Sequence, residues 1–157
     1  MADISIGTAA PDFDLPRDGG GRVSLGDFRG KPLVIFFYPK DDTSGCTAES
    51  LAFTALADEF EKAGAAVIGM SPDSVKCHDR FIKKHNLSVV LASDEEKTTL
   101  AAYGVWKQKS MYGRNFMGVE RTTFLVREDG TIGTIWQKVK VPGHAEIVLA
   151  ALQNLSR

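Results

Sequence analysis

The chain carries two cysteines, Cys46 and Cys77, and the residues around each decide whether its thiol does chemistry or merely packs. Cys46 stands in Pro39-Lys-Asp-Asp-Thr43-Ser-Gly-Cys46-Thr47. This polar segment follows the apolar run Leu33-Val-Ile-Phe-Phe-Tyr38 and precedes Phe53, Leu56, Ala57 and Phe60, whose spacing predicts an amphipathic helix. The thiol is thus expected in the first turn of a helix, just past the carboxyl end of a buried strand. Crevices outside such strand ends are where open α/β sheets bind ligands. The free N–H groups and partial positive charge of a helix N-terminus favour a thiolate over a thiol. An ordinary thiol titrates near 8.5, and bringing one to about 6 asks for about 3.4 kcal/mol. A helix end supplies only about 0.3 to 2 kcal/mol, so a nearby cation must complete the site. The competing reading is a small buried hydrophobe, since cysteine is among the most buried residue types.

The elements that must position Cys46 read as alternating strands and helices. Residues 13–15 and 22–25 form two short extended pieces joined by Asp18-Gly-Gly-Gly21, a small edge hairpin. The run 33–38 is apolar throughout, as in a strand covered on both faces. The helix after Cys46 closes at Gly64. A second unit follows, with a strand at 65–70, a helix entered near Pro72 and running to His85 with Val75, Phe81 and Ile82 inward, and a short strand at 89–91. Residues 95–103 read as a short helix, and residues 107–118 as a polar, glycine-punctuated loop that carries Met111, Tyr112, Phe116 and Met117. Those four side chains either line an apolar mouth for a ligand or fold back into the core. Residues 122–126 and 131–136 flank the turn Glu128-Asp-Gly130 as an antiparallel hairpin. Beyond Pro142-Gly143, the spacing of Val148, Ala151, Leu152 and Leu155 predicts a last helix. The fold class is therefore α/β, a mixed central sheet flanked by helices with an N-terminal β-hairpin. No repeat or linker divides it, and one domain over residues 1–157 is expected.

The segment Phe37-Tyr-Pro39-Lys-Asp-Asp-Thr43-Ser-Gly-Cys46-Thr47 resembles the active-site segment of the peroxiredoxins, in particular their bacterioferritin-comigratory or PrxQ group. The resemblance extends to Gly7-Thr-Ala-Ala-Pro11-Asp-Phe13, Gly69-Met-Ser-Pro72-Asp73, Tyr103-Gly-Val-Trp106 and Arg121-Thr-Thr-Phe-Leu125. It implies a thioredoxin-like fold and a thiol peroxidase in which Cys46 is the peroxidatic cysteine, with Thr43, Arg121 and Pro39 completing the site. Physical chemistry agrees at each position. A thiolate attacks one peroxide oxygen in line while charge develops on the other, so donors belong where that charge appears. Thr43 can accept from the thiol or donate toward peroxide, Arg121 would supply the cation, and Pro39 would shield the sulfur from water. Taken singly, Arg121 reads as a surface arginine, Thr43 as a helix N-cap and Pro39 as a turn residue. Glu49, three residues after Cys46, shares its helix face and would oppose a thiolate unless paired with an arginine.

Thr43-Ser-Gly-Cys46 occupies the place of a thioredoxin Cys-x-x-Cys with the first cysteine missing, which excludes dithiol exchange through that pair. Oxidation of Cys46 gives a sulfenic acid that another thiol must reduce. Many relatives place a resolving cysteine five residues on, where this chain has Leu51. Others resolve from the following helix, at a position nearer Ile82 than Cys77. Three readings of Cys77 stay open: an intramolecular resolver, an incidental thiol beside an external resolver, and an intermolecular partner. On helical spacing Cys77 lies at the edge of the apolar stripe and within reach of solvent.

The rest of the sequence narrows the partners. The 157 residues are 43% hydrophobic and 25% charged, as in ordinary soluble domains, and the net charge of −1 does not suit a protein that lives on phosphate backbones. No apolar run approaches the length of a membrane span, and Met-Ala-Asp-Ile-Ser5 is no secretory leader, so a cytoplasmic location is expected. His78, His85 and His144 share no metal-site spacing with the cysteines and read as solvated surface residues; neither metal nor cofactor is expected. Gly19 to Gly21 lack the lysine of a phosphate loop. The expected activity is reduction of hydrogen peroxide and organic hydroperoxides by a monomer, recycled by thioredoxin, glutaredoxin or a low-molecular thiol. The alternatives are a thiol-based redox sensor with incidental turnover and a silent thioredoxin-like scaffold.

Overall fold

In the computed structural model, which describes residues 4–155, the glycine-rich turn closes as expected. Strands β1 (Asp14–Pro16) and β2 (Arg22–Ser24) pair antiparallel, and Gly19, Gly20 and Gly21 all take positive φ. A 3-10 turn, Leu25–Phe28, leads to β3 (Leu33–Phe37), every residue of which is buried. The start at Met1 to Asp3, read above for a leader, lies outside the described residues.

After β3 the chain enters α1 (Ser44–Ala55). The single helix expected up to Gly64 is instead two, because Leu56 interrupts it before α2 (Ala57–Lys62). The Leu56 amide bonds to Phe53 O, a tight 3-10 closure, and both Phe53 and Phe60 still reach the same aromatic cluster, ring centroids 5.7 Å apart. Strand β4 (Ala66–Ser71), helix α3 (Val75–His85) and strand β5 (Val90–Ser93) follow. Ser74 caps α3 through its hydroxyl, and Asn86 ends it in the left-handed conformation. Helix α4 is shorter than expected, Thr98–Ala102, because Lys97 takes a positive φ just before it.

Residues 107–118 do not form a loop. They make an antiparallel ribbon, β6 (Trp106–Met111) and β7 (Arg114–Val119), joined at Tyr112 and Gly113, both with positive φ. Such a two-residue turn matches the right-handed twist of paired strands. Met111, Tyr112, Phe116 and Met117 are exposed, Tyr112 almost wholly, so the core-filling reading of this segment is corrected. The closing hairpin, β8 (Thr122–Val126) and β9 (Ile132–Trp136), and helix α5 (His144–Leu155) are as expected.

The central sheet runs β5-β4-β3-β8-β9, parallel through β5, β4 and β3 and antiparallel from β3 to β8 and β9. Side chains of β3 alternate between two cores. Leu33, Ile35 and Phe37 meet Phe13, Val23, Leu100 and Tyr103 on the hairpin and α4 side. Val34, Phe36 and Tyr38 meet Cys46, Phe53, Phe60, Phe81 and Val148 from the other helices. Phe37 lies opposite Thr122 across the antiparallel pair. Arg121 therefore falls beside the carboxyl end of β3, where the chain turns toward Cys46.

Candidate active site

Cys46 occupies the third position of α1, inside the first turn, where amide groups lack carbonyl partners within the helix. Its side chain is buried against Tyr38 and Phe53, 1% exposed. Arg121 reaches it from the start of β8. One guanidinium nitrogen, Nη2, donates to Cys46 Sγ at 3.3 Å, and the other, Nη1, donates to Glu49 Oε1 at 2.6 Å. The fork of one arginine thus joins the sulfur to the carboxylate one helical turn on. Gly45 makes room for it: a Cβ there would stand 3.1 Å from Arg121 Nη2. Sequence reasoning missed that glycine, whose only signal is its place beside Cys46.

Glu49 is 1% exposed, and its second oxygen, Oε2, has no hydrogen-bond partner among the described residues. Burial pushes its carboxyl up to about 7, against the opposing pull of Arg121. Burial also works against the charge of Arg121, but Glu49 and Cys46 outweigh it and keep the guanidinium protonated. A raised carboxyl binds its proton more tightly in the folded chain, so its contribution to stability is full below the unfolded value of 4.5 and is lost as pH rises to about 7. We expect Glu49→Gln to flatten the urea midpoint across that interval relative to the parent protein. Equal slopes in the two proteins would contradict the assignment.

The other expected site residues are placed less closely. Pro39 is half-buried two residues past the end of β3. Thr43 is the N-cap residue of α1, yet its hydroxyl caps nothing; it donates to Lys40 O at 2.8 Å and closes the loop. Cys77 lies in the first turn of α3 and is partly exposed. The hydroxyl of Ser74 and the guanidinium of Arg80, 3.3 Å from Sγ, hold its thiol below the ordinary range. Cys77, Arg80 and Lys84 share a cavity of about 380 Å³ with Lys40, Asp41 and Asp42 of the loop before Cys46. Leu51 points outward, 41% exposed.

Two of the three histidines are not on the surface. His144 is buried at the start of α5, 2.8 Å from the Thr123 hydroxyl and edge-on to Phe53 and Trp136. Burial first, then the charge of Arg121, holds its imidazole down. His78 is fully buried between Asp41 and Ala92. Its position three residues before Phe81 places it on the inward stripe of α3, a signal that its polarity obscured. Asp41, Asp73 and His78 bring ligand-type atoms within 4.8 Å of one another, but these atoms are engaged in hydrogen bonds to the protein itself.

A thioredoxin-like architecture that sets one buried cysteine under an arginine fork fits a thiol-dependent peroxidase. The sequence agrees with that class along nearly its whole length. Residues 6–135 match the AhpC/TSA family, and the chain belongs to it, among the Bcp/PrxQ peroxiredoxins. Peroxiredoxin Bcp of Xanthomonas campestris is 48% identical over 155 residues, spanning 98% of this chain and 97% of that protein. The Bacillus subtilis protein of the same name is 43% identical over 153 residues, 98% of each. Among solved structures, the X. campestris bacterioferritin comigratory protein, studied for alkyl peroxide reduction, superposes with a TM-score of 0.91 at 44% identity over the full length of both chains. PrxQ of Xylella fastidiosa gives a TM-score of 0.94 at 38% identity, again over both full chains. The protein is a thiol peroxidase whose substrate is a peroxide and whose reductant is a thiol.

Proposed function

We propose that Cys46 is the peroxidatic thiol and that Arg121, Thr43 and Pro39 shape its site, with Glu49 in support. The observation that carries this reading is the Arg121 fork, one N–H on Cys46 Sγ and the other on Glu49. The thiolate attacks the nearer oxygen of the peroxide, the O–O bond breaks, and the departing oxygen leaves as alkoxide or hydroxide and takes up a proton. Cys46 becomes a sulfenic acid, and the peroxide becomes an alcohol or water. The guanidinium is placed to neutralise charge on either side of that displacement. The Thr43 hydroxyl, which donates to Lys40 O, retains lone pairs that can accept a hydrogen bond from the peroxide O–H.

Cys77 is the proposed resolving thiol. Its sulfur attacks the Cys46 sulfenic acid, a disulfide forms and water leaves. Its lowered titration and its cavity shared with the loop before Cys46 support the role. Cys46 and Cys77 lie in the first turns of separate helices and a disulfide needs Cα atoms within about 7 Å, so local opening of the first turn of α3 is part of the proposal. Thioredoxin, glutaredoxin or a low-molecular thiol then reduces the disulfide. We further propose that the chain works as a single-domain cytoplasmic monomer. No helix among the described residues is long and apolar enough to cross a membrane.

Cys77→Ser separates the roles. Steady-state turnover with a thioredoxin system should fall at least about tenfold, while the first oxidation of Cys46 by one equivalent of peroxide keeps its rate. Mass spectrometry of the parent protein should then show a Cys46–Cys77 linkage. Undiminished turnover in the variant would assign resolution to an external thiol.

A further inference from the structure

A buried polar network outside the Arg121 site ties the loop before Cys46 to the helix that carries Cys77. Tyr38, fully buried at the end of β3, donates its hydroxyl to Asp41 Oδ1 at 2.6 Å. Asp41 Oδ2 lies 2.7 Å from His78 Nδ1. His78 Nε2 lies 3.0 Å from the Ala92 carbonyl of β5. The Asp41 amide donates to Asp73 Oδ2 at 2.8 Å, and the Ser71 hydroxyl donates to the same oxygen at 2.7 Å. Ser93 Oγ donates to the Asp73 carbonyl. Three strands, two loops and one helix meet here, and none of these side chains is hydrogen-bonded to the reacting sulfur.

The proton count of this network is constrained. The Ala92 carbonyl only accepts, so Nε2 must donate. Burial and the Asp41 charge keep the Tyr38 phenol protonated, so Tyr38 donates to Asp41. One further proton then lies between Asp41 Oδ2 and His78 Nδ1, and the network reads as a carboxylate against an imidazolium. Removing that proton leaves one acceptor facing another, whichever tautomer His78 adopts. The cost of an unsatisfied buried contact to a charged group is large compared with that of a solvated pair.

We propose that Asp41 and His78 are positioning residues, a latch that holds the loop at 39–43 against α3 and whose proton governs how readily α3 opens to release Cys77. The geometry supports a latch because His78 follows Cys77 directly, so the first turn of α3 cannot unwind without drawing His78 from its partners. A second connection lies at the surface, where Asp42 accepts from Lys84 Nζ at 2.7 Å and pairs with His85 Nε2 at 2.9 Å. Both of those partners are solvent-exposed to a degree that limits their contribution.

The sign of the effect follows from the groups that face His78. Burial lowers its basicity, but Asp41 from the loop, the Ala92 carbonyl from β5 and Asp73 from the end of β4 together raise it above the ordinary value. A raised imidazole contributes its stabilisation below the unfolded value and loses it as pH rises through the folded one. The helix is therefore held shut in mildly acidic solution and released in alkaline solution. Faster formation of the Cys46–Cys77 disulfide at high pH is the consequence, and only that consequence rests on the resolving role of Cys77.

Hydrogen exchange of the reduced protein tests the latch without peroxide. Protection of the α3 amides, corrected for intrinsic exchange, should fall about tenfold between about pH 6 and about pH 9, the order set by one charge-assisted hydrogen bond. In His78→Gln it should already be about tenfold lower at the acid end and flat with pH. In His85→Gln the parent slope should persist, and the α5 amides should hold constant throughout. A parent α3 that shows no slope, a slope that survives in His78→Gln, or a slope that disappears in His85→Gln would each overturn the proposal. If His78→Gln does not fold, the parent and His85→Gln profiles still decide. Loss of disulfide formation in Cys77→Ser would leave all these profiles unchanged, so failure of the latch and failure of Cys77 as resolver are separately visible.

Discussion

Cys46→Ser is expected to abolish peroxide turnover, by at least about four orders of magnitude, with no change in fold. Serine preserves the size of the buried side chain, which packs beside Tyr38 and Phe53, but its hydroxyl does not ionise near neutral pH. Nothing else in the Arg121 fork can act as a nucleophile. The remaining thiol, Cys77, lies on another helix with Ser74 and Arg80 as its partners, without the Glu49–Arg121 pair. Steady-state consumption of hydrogen peroxide in a reductase-coupled assay checks the result. A variant that keeps a substantial share of the activity would place the chemistry on Cys77.

Arg121→Ala carries the second large effect. Removing one donor aimed at developing charge typically costs about 10² to 10³ in rate, and the second-order rate constant for Cys46 oxidation should fall by that order. The same change strips Glu49 of its partner in a site that is 1% exposed. A buried carboxylate left alone is strongly destabilising, but this carboxyl, already pushed up to about 7, can take a proton instead. The stability loss should therefore be greater at high pH than at low. Adding Glu49→Gln should recover much of the stability and none of the rate. Stopped-flow oxidation and urea unfolding, run on the single and double variants, separate these effects. Recovery of rate in the double variant would mean that Arg121 serves the fold alone.

The parts of the protein that were legible in its sequence are those where burial leaves a pattern. Leu33 to Phe37 are buried on both faces of the sheet, so the strand reads as one apolar run, and the helical segment after Cys46 shows its spacing through Phe53 of α1 and Phe60 of α2. Glu49 and Cys46 share a helix face by arithmetic, and an arginine partner followed from the charge that such a pair must balance. The ribbon β6–β7 left no such trace. Met111, Tyr112, Phe116 and Met117 stand exposed, so no buried face imposes alternation, and the ribbon is defined by its backbone pairing and the Tyr112-Gly113 turn. The interruption at Leu56 has no proline or glycine to announce it. Buried polar groups are hidden for a different reason. His78, Asp41 and His144 are satisfied by partners remote in sequence or on other elements, and a single chain read by polarity assigns them to solvent.

Cys46, although buried, should react before Cys77, which is more accessible and whose thiol is held low by Ser74 and Arg80. Treating the fully reduced protein with less than one equivalent of hydrogen peroxide, in the presence of a sulfenic-acid trap, and mapping the adduct by mass spectrometry asks this directly. The adduct should sit on the peptide containing Cys46. An adduct confined to the Cys77 peptide would contradict the account.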